Sequence, residues 1–303
     1  MIDDESLSVR ARALGAAIEP FAGQVYFSPE CHRAYEALGF SPSSGEMGGV
    51  AMPDGVAYFC SRGSVLGQVP GEVVAAAFGV FNPEVVVPCV AMGWGLASAE
   101  QMCAARTDGA VGQLTRILGD EPDGIARATE LLQQANEPLR PAGRPLFAGL
   151  VGLGLPGEPV GDAWRLADRL REYRGDAHIA AWSSEGFDAT EIGLLTELYW
   201  GLPMRTYIRT RAWSDADMDE AEARLVDRGL VADGGFTEEG RAAREHVEDV
   251  TDYMCRPIMD ALGDDFDELV GILGGWSQQV QAAAGYPAAG PHDLAGLTSS
   301  GGG

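Results

Sequence analysis

The sequence predicts an all-α fold: a helical N-terminal domain followed by a winged helix-turn-helix-like domain with a minimal β-wing. Two observations carry this. Nearly every segment of the first 186 residues repeats its apolar positions at helical spacing. From Asp188, three short helical patterns (Asp188 to Trp200, Met204 to Trp213, Ser214 to Arg228) precede Gly229-Leu230-Val231, a Gly234-Gly235 turn and Thr237-Glu238-Glu239-Gly240-Arg241. A third observation opposes the usual use of that order. The third pattern, which such a fold lays in the DNA major groove, carries Asp215, Asp217, Asp219, Glu220, Glu222 and Asp227 against Arg224 and Arg228.

Along the chain, Leu7 to Phe21 is amphipathic, with Val9, Leu14, Ala17, Ile18 and Phe21 on its apolar positions. Ser28-Pro29-Glu30 starts a second helix that ends at Gly39: Ser as N-cap, Pro at the first helical position, acid in the first turn. The Gly-, Ser-, Pro- and Met-rich stretch from Ser41 to Gly71 gives no clear period, and Val56 to Arg62 within it fits a buried helix or a strand. Helical pattern returns from Pro70 to Phe81, breaks at Asn82-Pro83, and resumes in a second apolar helix. Ser98-Ala99-Glu100-Gln101 fits a capping box for a helix to Leu118. Further helices are expected at Asp123 to Ala135, Arg144 to Leu153 and Asp162 to Tyr173. After the wing, Glu238 to Leu262 and Asp265 to Ala283 read as two long helices. The expected domains are 1–186, 187–284 and a disordered tail over 285–303, which holds His292.

Composition excludes several chemistries. All 21 basic residues are Arg, so no Schiff-base lysine, no covalent pyridoxal phosphate site and no standard P-loop can exist. The formal net charge is −24, and from Glu185 onward 23 acidic residues face 8 Arg. Binding nucleic acid relies on Arg and Lys replacing counterions, so nucleic acid is not the expected partner, nor is a membrane. The acidic start Met1-Ile2-Asp3-Asp4-Glu5 is unlike a signal peptide, and five cysteines form an odd set. Together they suggest a cytoplasmic protein with reduced thiols.

The candidate residues fall into small clusters. In Arg174-Gly175-Asp176-Ala177-His178 a cation, a carboxylate and an imidazole gather within one turn. If the helix runs through Gly175, Arg174 and His178 share a face. If it stops there, Asp176 caps the next helix. The functional reading makes His178 a general base oriented by Asp176, beside an anion held by Arg174. The plainer one is a helix cap and an internally satisfied histidine. Tyr26 and Glu30 either line a pocket or staple and start a helix. Arg62 suits an arginine reaching from an apolar wall towards a ligand, or a partner for Glu30 or Glu72. Asn82 is assigned to ligand binding with Tyr26, Arg62 and Arg174, although it is most simply a helix terminator. Catalysis is assigned to His178, Asp176 and Glu30. No metal site is expected, because Cys31 and His32 are adjacent and point about 100° apart on a helix. No cofactor is identified.

The chain resembles a family of actinobacterial proteins of similar length named for a helix-turn-helix. The resemblance rests on Tyr26-Phe27-x-Pro29-Glu30, Arg62 after its aromatic pair, Phe81-Asn82-Pro83 and Arg174-Gly175-Asp176-x-His178. It extends to Arg228-Gly229-Leu230 and Thr237-Glu238-Glu239-Gly240, about residues 8 to 275 in all. It implies a winged-helix element, and supplies no reaction, cofactor or catalytic residue.

Three readings follow. The favoured one is a small-molecule-binding protein, plausibly an enzyme of specialised metabolism, with the winged helix kept for packing or dimerisation; whether it is an enzyme at all stays open, as does a homodimer. The second is a winged-helix regulator with an N-terminal sensor. The third is an interaction module that docks its acidic face on a basic partner.

Overall fold

The computed structural model describes residues 4–287. The chain is mostly helical, with two small two-stranded sheets. Helix α1 (Asp4–Gly23) leads through a 3-10 turn, Gln24–Tyr26, to α2 (Pro29–Ala37), whose first turn is closed by Ser28 accepting from the Cys31 amide. A short hairpin, β1 (Gly45–Met47) and β2 (Val50–Met52), occupies the stretch without clear period. The Val56 to Arg62 segment, open between helix and strand, is helical: α3 (Gly55–Gly63) is capped by Asp54 accepting from the Ala57 amide. Then come α4 (Gly71–Phe78), α5 (Pro83–Gly93) and α6 (Ala99–Leu118), the last with both halves of the Ser98/Gln101 capping box formed.

Helices α7 (Ile125–Asn136) and α8 (Pro145–Gly152) precede the long α9 (Pro159–Ser184). The sequence placed the end of this last helix at Tyr173. It runs on through Gly175 because tertiary packing outweighs the roughly 1 kcal/mol that a mid-helix glycine costs: α9 is the central rod, against which α1, α7, α8 and α12 (Glu238–Met254) all lie.

Between α9 and α12 stand α10 (Ala189–Tyr199), a 3-10 turn at Ile208–Arg211, α11 (Asp215–Asp227), and the strands β3 (Val231–Ala232) and β4 (Gly235–Phe236). The capping box Asp188/Glu191 starts α10 and Ser214/Asp217 starts α11. The helix expected from Met204 to Trp213 is reduced to the 3-10 turn. Arg205 and Ala212 take left-handed backbone on either side of it, with φ of 68° and 65°. The buried carboxylate of Glu197 accepts from the Arg205 and Ile208 amides, so a side chain satisfies donors that a helix would have left orphaned. Gly193 lets this turn approach α10: a Cβ there would sit 2.1 Å from Ile208 Cδ1.

The helix expected from Glu238 to Leu262 is two, α12 and α13 (Arg256–Leu262), divided at Cys255. Pro257 has no amide hydrogen to donate to the Tyr253 carbonyl, so the ladder cannot continue. Helix α14 (Phe266–Ala282) then packs along α1. The tail was expected to leave the fold at 285. Instead Tyr286 is buried, edge-on to Phe27, with its hydroxyl donating to Glu19. Residues 288–303 of that expected tail, including His292, lie outside the described residues.

Three apolar clusters result. The largest joins α1, α2, α6, α7, α9, α13 and α14 around the fully buried Trp164. A second ties the end of α9 to α10, the 3-10 turn, α11 and β3. The third unites α3, α4, α5 and α8. Among the described residues, no helix is long and apolar enough to cross a membrane.

Candidate ligand cavity

Where the three clusters meet, they leave a cavity of about 620 Å³. That lies within the range typical of small-molecule sites. Leu14 and Ile18 of α1, Phe59, Phe78 and Phe81 around α3 to α5, Ile192 of α10 and Ile208 of the 3-10 turn all face it. The aromatic wall is continuous. Tyr58, Phe59, Phe78 and Phe81 stand with ring centroids 5.2 to 6.4 Å apart. On the opposite side Trp200 meets Tyr207 edge-on at 5.1 Å.

Because α9 is continuous, Arg171, Arg174, Gly175 and His178 present one face to this cavity. Each arginine there is already matched with acid. Arg171 grips Glu19 at 2.8 and 3.0 Å, and Arg174 reaches Glu248 at 2.9 Å and Asp252 at 3.1 Å. Arg62 meets Glu172 through two parallel hydrogen bonds while stacking 4.7 Å above Phe78. Burial alone would raise the Glu172 carboxyl, but Arg62 and Arg171 hold it at about 2. Arg244 bonds Glu248, and Arg12 bonds Asp252, Glu245 and Asp249.

His178 donates through Nδ1 to Thr251 Oγ1 at 3.2 Å, since the Thr251 hydroxyl itself donates to the Val247 carbonyl. Burial pushes the imidazole down to about 4, against the pull of Glu248 3.8 Å away. Tyr26 is buried edge-on to Tyr58, takes a hydrogen bond from Arg106, and is pushed by burial up to about 12.

Of the candidate residues, Tyr26, Arg62, Arg174 and His178 therefore come together on the cavity, and Glu30, Asp176 and Asn82 do not. Glu30 lies on the far side of α2, paired with Arg116 at 2.7 Å and Arg33 at 3.5 Å. Asp176 points to the other flank of α9 and accepts from the Phe147 amide at 3.0 Å. It thereby caps α8, whose own N-cap residue Arg144 makes no side-chain cap. It is not positioned to orient His178. Asn82 caps α5 and donates to the Ala212 carbonyl, fastening the α4–α5 loop to the end of the 3-10 turn before α11. Cys31 and His32 diverge as adjacent helical residues must: the thiol bonds the Arg106 carbonyl, and the imidazole the Tyr26 carbonyl.

Sequence reasoning missed Arg211, which lines the cavity from the 3-10 turn, and the fully buried Arg106–Asp168 pair at 2.9 Å behind Tyr26. Neither has a local signature. Asp168, which pairs with Arg106, and Phe81, one of the two rings that hold Arg211, come from segments far away in sequence.

A helix-turn-helix family model matches residues 11–287. No curated protein and no solved structure matches the chain. The family match overturns the favoured sequence reading, a metabolic enzyme that keeps the helix-turn-helix only as scaffold, because such a family points to DNA-binding regulation. Since the match covers most of its length, the chain belongs to the helix-turn-helix family.

Proposed function

We propose that the protein is a ligand-responsive regulator in which α10, the 3-10 turn, α11 and the β3–β4 hairpin act as a winged helix-turn-helix. The observation that carries this reading beyond the family itself is the shared wall. Ile192, Gly193, Thr196 and Tyr199 of α10 and its C-cap Trp200, with Tyr207, Ile208 and Arg211, line the same cavity as the N-terminal helices. The regions are also stitched together beside it. Asn82 N donates to Arg211 O at 3.0 Å, Asn82 Nδ2 to Ala212 O at 3.1 Å, and Trp213 Nε1 to Val80 O at 2.9 Å. A ligand that fits the cavity differently in two arrangements of this joint shifts the balance between them, which is what a sensor requires.

The charge of α11 constrains how DNA is met. Its acids are partly answered by arginines, Arg205 on Asp219 and Glu222 and Arg209 on Asp215, while its own Arg224 is taken by Asp188 and Glu191 at the start of α10. Few cations remain for phosphates, so binding has a shallow salt dependence and is strongest at low salt. The test is selection from random duplexes with the full chain at low ionic strength. Enrichment of a defined sequence is expected; no enrichment removes the reading.

A second reading is favoured by one observation: Asp219, Glu220 and Asp227 form an exposed acidic face on α11. In it, α11 docks on a basic protein surface. Loss of DNA selection together with salt-sensitive capture of a basic partner, abolished by neutralising this face, would favour it.

A further inference from the structure

The cavity wall holds six arginines and three glutamates, in a protein whose net charge is −24. Five of those arginines are matched by carboxylates: Arg12, Arg62, Arg171, Arg174 and Arg244. Arg211 differs. Among the described residues it has no acidic partner, although it is only 8% exposed and its Nε lacks any hydrogen bond. Its guanidinium is held between two rings, 4.6 Å from the Phe81 centroid and 4.4 Å from that of Tyr207, and Nη2 donates to the Tyr207 hydroxyl.

A buried cation without a counter-charge is costly, and removing water from it without replacement is the largest part of that cost. The rings offset some of it, as a cation over an aromatic face is attracted to the ring quadrupole. They leave the guanidinium's charge without a carboxylate on a residue that lines an aromatic cavity. On one side Phe81 continues into the Phe78, Phe59 and Tyr58 wall, and on the other Tyr207 continues into Trp200.

We propose that Arg211 is the anion anchor of the cavity, and that the ligand is a flat aromatic carboxylate whose acid group pairs with Arg211 while its rings stack between these walls. This assigns to Arg211 the anion-binding role that sequence reasoning gave to Arg62 and Arg174, both of which are occupied by Glu172 and by Glu248 with Asp252. It rests on the cavity being the sensor site. It adds a route for the signal, because Arg211 sits in the turn between α10 and α11 and its carbonyl receives the Asn82 amide. A charge arriving at this residue acts on the joint itself.

The experiment uses the full chain without DNA and three fluorescent probes that share one ring system: pyrene-1-carboxylate, pyrenylmethanol and pyrenylmethylammonium. The naphthalene analogues of each give a second ring size. Charge-assisted hydrogen bonds to a buried guanidinium predict at least tenfold tighter binding of the carboxylate than of the alcohol, and weakest binding of the ammonium. Arg211→Gln is expected to lose that tenfold on the carboxylate and to change the alcohol less than about twofold, while Arg116→Gln, outside the cavity, leaves all three unchanged. Should Arg211→Gln fail to fold, the head-group order on the unaltered protein, together with a larger rise of Tm with carboxylate than with alcohol, still decides. Equal affinity for the three head groups, an unchanged carboxylate preference in a folded Arg211→Gln, or no binding of either carboxylate up to about 1 mM overturns the proposal. A protein that prefers the carboxylate but selects no DNA keeps this anchor and loses the regulator; the reverse result loses only the anchor.

Discussion

Arg62 and Glu172 join α3 to α9 through two parallel hydrogen bonds, Nε to Oε1 at 3.1 Å and Nη2 to Oε2 at 2.9 Å, at the edge of the cavity. Arg171 adds a third contact to Oε1 at 2.8 Å. The Glu172 carboxyl is thereby held at about 2 rather than its ordinary 4.5. A depressed folded value means that the carboxylate stabilises the fold fully above pH 4.5, and that this stability is lost as pH falls towards 2. Glu172→Gln takes the carboxylate from Arg62, while Arg171 keeps Glu19, so it is expected to cost about 3 kcal/mol near neutrality. Urea unfolding from neutral pH down to 2 checks both parts. The variant's stability should be lower at pH 7, and its loss with acid shallower between 4.5 and 2. Parallel curves would mean that the pair does not carry the acid sensitivity.

His178 provides a titration with the opposite kind of group and the same direction. Burial lowers its imidazole to about 4 from 6.5, so the folded protein binds the neutral ring. Between those values the unfolded chain takes up the proton more readily, and stability falls as pH falls through the window. Two-dimensional NMR of the four histidines should show the His178 ring still neutral at pH 5. A midpoint near 6.5 would show that the ring is hydrated, and that its hydrogen bond to Thr251 does not persist in solution.

Asp176 works the other way. Burial raises its carboxyl to about 7 from 3.8, opposed by the Phe147 amide, and among the described residues its Oδ1 has no hydrogen-bond partner. Here the folded state binds the proton more tightly, so the residue's contribution to stability declines as pH rises from 3.8 to 7. Asp176→Asn keeps an acceptor for Phe147 and removes the titration. Its stability, relative to the unaltered protein, is expected to improve steadily across that interval. A difference that does not vary with pH would place the titrating group elsewhere.

What the sequence disclosed and what it hid follow from the range of the forces involved. Ser28, Ser98, Asp188 and Ser214 make their caps with amides two or three residues ahead, so their helix starts are legible from local chemistry. Tyr26, Arg62, Arg174 and His178 reach the cavity because each stands beside apolar or aromatic residues that mark a buried face. The continuity of α9 through Gly175 was not local. It is set by four helices packed along the rod, and it decided that Asp176 caps α8 rather than serving His178. The short second helix also escaped, because the Glu197 carboxylate that replaces it comes from α10. Arg211 was hidden for the same reason: its isolation from acid is visible only once every other arginine on the cavity has found its partner.

The acidic face of α11 gives the sharpest functional prediction. Glu220 and Asp227 are exposed and, among the described residues, form no ion pair, unlike Asp215, Asp219 and Glu222, which are answered by Arg209 and Arg205. If α11 enters the major groove, these two unanswered carboxylates face phosphates and oppose binding without supporting the fold. The double variant Glu220→Gln, Asp227→Asn is then expected to bind DNA more tightly, by a fewfold at low salt, with the gain shrinking as salt screens the repulsion. Its Tm should stay close to that of the unaltered protein, since exposed charges without partners contribute little to stability. Fluorescence anisotropy with a selected duplex over a series of salt concentrations measures the effect. An unchanged affinity at every salt concentration would place α11 away from the groove and leave its acids free for a basic protein partner.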